Sequence, residues 1–242
     1  MRDANYRDVN LRMETKGLIN MKLSKIIVAG LAVLSCGCLV QSVNAIPTLT
    51  LSDGTTTIVV MDNGVGDLDP TLGSVLFSGA VGSNFDANAS AGFTKPVDGS
   101  ASAPSIDLSS LDHAKGAGTL TITFSETGFT AFPGILTGNI GGTIAVGGSL
   151  TNVVKQNALN LVTNGPFGPG AFSGTGSAAL IDGAPYSLTQ TAILTFGARG
   201  STSFDAMANV PSVPDGGMTL TMLGIGLLAV GAASRIYRRA TV

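Results

Sequence analysis

Between residues 119 and 125 apolar and polar side chains alternate without a break: Leu120, Ile122 and Phe124 against Thr119, Thr121, Thr123 and Ser125. A period of two puts each set on its own face of an extended chain, so the segment predicts a strand with one packed and one solvated side. Residues 186–196 repeat the pattern. Tyr186, Leu188, Ala192, Leu194 and Phe196 oppose Ser187, Thr189, Thr191 and Thr195, and Ile193 interrupts the polar face. Threonine suits that face because its branched Cβ favours a half-buried pleat. Shorter runs over 48–51, 56–61, 74–78, 135–146, 159–162 and 172–180 predict further strands. Turn dipeptides punctuate them: Asp53-Gly54, Asn63-Gly64, Asp98-Gly99, Asn164-Gly165 and Asp182-Gly183. Many short strands at such intervals predict an all-β fold, a single β-sandwich or jelly-roll-like domain over residues 46–210. The stretch 152–161 is expected to be a short helix, and the glycine-rich stretches 138–148 and 165–176 to be bends and loop tips.

The two ends follow a different pattern. Lys22 and Lys25 precede an apolar stretch over 26–34, and Val43-Asn44-Ala45 offers small residues for cleavage after Ala45. That is the layout of a secretory signal peptide over 21–45, an N-terminal signal helix. Val33-Leu34-Ser35-Cys36 also loosely resembles a lipid-attachment box, an alternative anchor. Residues 1–20 have no apolar periodicity and read as a start assigned too far upstream or as an extended leader. At the other end, seventeen uncharged residues over 218–234 are followed by Arg235, Arg238 and Arg239. Seventeen is at the short end of what spans a bilayer, about 17–25 residues, so a C-terminal transmembrane helix is expected. The three arginines act as a stop-transfer signal and place the basic tail, 235–242, in the cytoplasm.

Charge narrows the partners. Residues 46–214 hold eleven Asp and Glu against four Lys and Arg, a net charge of −7 where the whole chain is −2. Nucleic acid is excluded as a partner, because its affinity comes from lysine and arginine on phosphates. Both cysteines, Cys36 and Cys38, lie inside the signal stretch, so the exported body has neither disulfide nor thiol chemistry.

Little else in the chain points to a reaction, and no cofactor or catalytic residue is expected. His113 is the one histidine, and no Gly-x-Ser-x-Gly elbow accompanies it. Glu126 is the one glutamate of the body, so a two-carboxylate hydrolase would need an aspartate brought beside it in a cleft. The absence of tryptophan removes the broadest stacking platform for sugars. Asp62, Asp67 and Asp69 gather in a glycine-containing stretch that could supply oxygens to calcium. The spacing misses the EF-hand pattern, and a turn between strands accounts for the same residues.

The order of motif, apolar helix and arginines resembles the PEP-CTERM sorting signals of bacterial exported proteins, in the variant written Val-Pro-Asp-Ser-Gly. Val213, Pro214, Asp215 and Gly217 match that variant, and Gly216 stands where it has serine. The resemblance makes 211–242 a sorting signal and implies a membrane exosortase that cleaves near the motif. It also implies delivery to the cell surface or extracellular matrix, with extracellular polysaccharide as a further partner. Gly92-Phe93-Thr94-Lys95-Pro96, the run 118–129 and Pro185-Tyr186-Ser187-Leu188-Thr189-Gln190 look like stretches in other exosortase-sorted proteins. They imply a shared β fold without an activity. The resulting expectation is a non-catalytic structural or interaction protein, with a calcium-dependent or glycan-binding module as the alternative.

Overall fold

The computed structural model describes residues 46–211 and 221–228. The first stretch folds into twelve strands: β1 (Thr48–Ser52), β2 (Thr57–Met61), β3 (Ser74–Val81), β4 (Phe85–Phe93), β5 (Ser105–Ala114), β6 (Gly118–Phe129), β7 (Ile135–Ile144), β8 (Gly148–Gln156), β9 (Leu159–Phe167), β10 (Gly170–Ala179), β11 (Tyr186–Phe196) and β12 (Gly200–Asn209). They form two six-stranded sheets, ordered β2-β1-β6-β11-β8-β9 and β10-β7-β12-β5-β4-β3. Every neighbouring pair is antiparallel.

The connectivity is informative. Counted from β5, the eight strands β5 to β12 lie in the order first-eighth-third-sixth in one sheet and second-seventh-fourth-fifth in the other. That is the strand order of a jelly roll, two interlocked Greek keys. β4 and β3 widen one sheet beyond β5, and β1 and β2 widen the other beyond β6.

Alternation holds the layers together. β11 buries Tyr186, Leu188, Ala192, Leu194 and Phe196, and β6 beside it buries Leu120, Ile122 and Phe124, as the period-two reading expects. Ile106, Leu108, Leu136, Ile140, Phe204 and Ala206 face them from the second sheet. Each such side chain contributes roughly 1.5–3 kcal/mol when fully buried. Glycine lets the layers close at Gly92, where a Cβ would collide with the Phe124 ring, and lets neighbouring strands of one sheet pair at Gly142, where a Cβ would meet the Phe204 Cα at 2.9 Å.

Four strands depart from the sequence reading. The expected helix over 152–161 is instead the end of β8, a turn at Asn157 with φ of 52°, and the start of β9. Adjacent Val153 and Val154, with Asn152 and Gln156 facing inward, erase the alternation that marks a strand. β4, β5 and β12 carry alanine, serine, threonine and aspartate at many inward positions, so hydrophobic contrast between their faces is weak. The glycine-rich stretches are mostly strand as well. Gly138, Gly174 and Gly176 sit under Val162 and Phe167 of β9, where a larger residue would hold β9 away. Asn164-Gly165 lies inside β9, beside a register shift, and is not a turn.

A helix occupies 221–228. Eight residues rise about 12 Å, against a hydrocarbon core of about 30 Å. Among the described residues no helix is long and apolar enough to cross a membrane. The rest of 218–234, the signal stretch with Ala45, the motif 213–217, and Arg235, Arg238 and Arg239 lie outside the described residues.

Candidate functional site

The carboxylate cluster is the first sequence candidate, and the structure places it in the β2–β3 connection. Asp62 accepts from Asn63 Nδ2 at 2.7 Å and, through its other oxygen, from the Gly73 amide at 2.7 Å. Asp67 accepts from the amides of Asn63 at 2.8 Å, Leu76 at 2.9 Å and Asp69 at 3.1 Å. Asp69 accepts from Ser74 Oγ at 2.6 Å and the Thr71 amide at 3.0 Å. The Ser74 hydroxyl, followed by Thr71, holds the Asp69 carboxyl below its ordinary value. All six oxygens thus accept donors of the connection and of β3. Among the described residues no group of three or more His, Cys, Asp or Glu is arranged to hold a metal.

Glu126 is buried at the end of β6. Its Oε1 accepts from Lys95 Nζ at 2.9 Å and the Thr127 amide at 2.8 Å, while Oε2 has no partner. Lys95 also donates to the Thr127 carbonyl at 2.8 Å and lies 5.0 Å from the centroid of the Phe129 ring. Burial pushes the Glu126 carboxyl above its ordinary value, Lys95 and Thr127 oppose that rise, and Asp62 adds to it. Asp62 thus lies close enough to repel the glutamate. The ammonium of Lys95 is bound to the glutamate, however, so the group pins the Thr94–Lys95 segment to β6.

His113 lies on β5 and points outward from the sheet. Across the sheet it stands between Ser201 of β12 and Asp86 of β4. Among the described residues no side-chain hydrogen bond joins the three, and Lys115 Nζ holds Asp86 Oδ1 at 2.9 Å. The row has the residue types of a nucleophilic triad without its hydrogen-bonded coupling.

Two further carboxylates went unnoticed in the sequence. Asp112 is wholly buried between the sheets, with Oδ1 accepting from Ser110 Oγ at 2.9 Å and Oδ2 unpartnered. Burial pushes its pKa up to about 7. Asp107, on the opposite face of β5, is pushed up to about 7 by burial and then by repulsion from Asp205 and Asp98. The signal was available for Asp112: Ile106, Leu108, Ser110, Asp112 and Ala114 share one face at period two.

No curated protein matches the chain. Among solved structures, TmCBM61 in complex with β-1,4-galactotriose is 6% identical, covering 48% of this chain and 85% of its own, at a TM-score of 0.31. The K1 cleaved adhesin domain of Lys-gingipain from Porphyromonas gingivalis W83 is 9% identical over 58% of this chain and 91% of its own, TM-score 0.30. TmCBM27, a carbohydrate-binding module that recognises mannan, is 9% identical over 57% and 86%, TM-score 0.28. At these TM-scores none of the likenesses bears on a ligand or activity of this chain. The informative match is at the C-terminus: residues 212–237 fit the VPDSG-CTERM motif, and the chain therefore ends in a PEP-CTERM-like sorting signal.

Proposed function

We propose that this is an exported bacterial protein whose β-sandwich is presented at the cell surface or in the extracellular matrix as a structural or interaction module. The match of residues 212–237 to the VPDSG-CTERM motif carries the reading. A signal peptide over 21–45 starts translocation, and the apolar stretch 218–234 with Arg235, Arg238 and Arg239 stops it, leaving the sandwich outside. An exosortase-type enzyme then cleaves near Val213, Pro214, Asp215, Gly216 and Gly217. The domain plan follows: a leader through Ala45, one body over 46–210, and the sorting signal over 211–242.

The state of the body's polar groups supports a non-catalytic role. The aspartates of the β2–β3 connection are engaged by its own donors, Glu126 is bound to Lys95, and His113 is uncoupled from its neighbours. Extracellular polysaccharide is the partner class the matrix location favours.

Intact mass of the protein recovered from its native surface or medium tests the reading. The expected species begins at Ile46 and ends within 213–217. A species retaining Arg238 and Arg239 would mean a permanent anchor and would overturn the processing step.

A further inference from the structure

The free edge of β10 offers a binding surface of defined geometry. Leu180 donates its amide to the Gly134 carbonyl, in register with the β10–β7 ladder. Antiparallel ladders alternate hydrogen-bonded and non-hydrogen-bonded pairs. The even-numbered residues of β10 therefore bond to β7, and Ala171, Ser173, Thr175, Ser177 and Ala179 turn their backbone N–H and C=O groups away from it. Among the described residues none of those backbone groups has a hydrogen-bond partner. The side chains of these five residues are exposed, while Phe167 and Val162 of β9 cover the inner face at Gly174 and Gly176.

Sheet edges normally carry a device that prevents pairing with another chain: a charge, a proline, a covering loop or very short length. The other three edges of this sandwich have one. Asp67 and Leu68 cap Leu76 of β3, β9 contains Pro166, and β2 is five residues long. β10 is ten residues long and has neither charge nor proline.

Its outward-facing residues also read the same in both directions, although Phe172 and Ala178 of the inner face do not match. The edge residues are Ala, Ser, Thr, Ser and Ala, symmetric about Thr175, with Gly174 and Gly176 flanking the centre. An isologous two-fold interface brings the same surface from both copies together in reverse direction. We propose that β10 pairs antiparallel with β10 of a second copy of this chain about a two-fold axis at Thr175, joining two six-stranded sheets into one of twelve. Thr175 then faces Thr175 of the other copy, Ser173 faces Ser177, and Ala171 faces Ala179. Five paired residues per copy form about ten hydrogen bonds between copies, with no like charges in contact. One step further, Pro169 meets the exposed Ile181 of the other copy and ends the ladder.

Cysteine cross-linking in the full chain, with Cys36 and Cys38 replaced by serine, tests this register. A hydrogen-bonded antiparallel pair has Cα atoms about 5.5 Å apart, inside the disulfide range of about 4.4–6.8 Å. Thr175→Cys should give a cross-linked dimer on mild oxidation. Ser173→Cys alone should not, because residue 173 lies opposite 177, whereas Ser173→Cys combined with Ser177→Cys should. Thr175→Lys, which sets like charges on the axis, should abolish the double-cysteine dimer while the circular dichroism spectrum stays that of the folded body. Failure of Thr175→Cys to cross-link, or cross-linking no greater than that of Ser173→Cys, would overturn the proposal. A dimer trapped through Val59→Cys of β2 in place of Thr175→Cys would move the interface to the other edge and overturn it equally.

Discussion

Replacing Asp112 by asparagine removes a buried carboxylate that no base neutralises. In the folded chain its proton is held to about pH 7, while the ordinary carboxyl value is 3.8. Between those values the folded state carries a proton that the unfolded state has lost, so stability falls as pH rises and levels off above about 7. Roughly three pH units at 1.36 kcal/mol each give about 4 kcal/mol of stability present at pH 4 and absent at pH 8. Asp107 has the same sign and adds to the slope. The amide of the Asp112→Asn variant cannot ionise, so that protein keeps only the remaining slope. The quantity to measure is the stability difference between variant and wild type at pH 8, minus the same difference at pH 4. It should be about 4 kcal/mol in the variant's favour, or roughly 10 °C in melting temperature for a body of this size. Taking the difference between two pH values cancels the fit of the amide itself, which costs about 1–3 kcal/mol if unpaired. Denaturant unfolding followed by circular dichroism from pH 4 to pH 8 provides the numbers. Equal pH slopes for the two proteins would refute the argument that the sheets enclose a carboxylate without a counter-charge.

Lys95→Met leaves the Glu126 carboxylate buried without its partner and should cost about 3–5 kcal/mol, read as a lowered melting temperature. Adding Glu126→Gln should recover part of that loss, and no recovery would mean that Lys95 acts through packing on Phe129. Asp67→Ala strips the acceptor from three loop and strand amides and should destabilise the body by about 1–3 kcal/mol. Millimolar calcium should leave the wild-type melting temperature unchanged, because among the described residues no three carboxylates are arranged to hold a metal. A calcium-dependent rise that Asp67→Ala abolishes would restore the calcium-binding alternative.

Local chemistry made much of this protein legible from its sequence. Residues 119–125 and 186–196 alternate so regularly that any sheet must bury the same side. Asp53-Gly54 and Asp98-Gly99 form bends with positive φ at the glycine, as side-chain sterics require. The C-terminal sorting signal was equally plain, because its motif is a short run read in order along the chain. Tertiary structure decided the rest. β4, β5, β8 and β12 are strands because neighbours on both sides complete their backbone hydrogen bonds, although their own residues give little contrast between faces. Glycines expected in bends became strand positions because Val162, Phe167 and Phe204 needed backbone without a Cβ beneath or beside them. The pairing of Lys95 with Glu126, 31 residues apart, and the enclosure of Asp112 exist only once the sheets have closed. Pattern along a chain determines which face a residue takes. Burial, ion pairing and the free edge of β10 depend on what the fold lays against that face, and chain order does not carry this information.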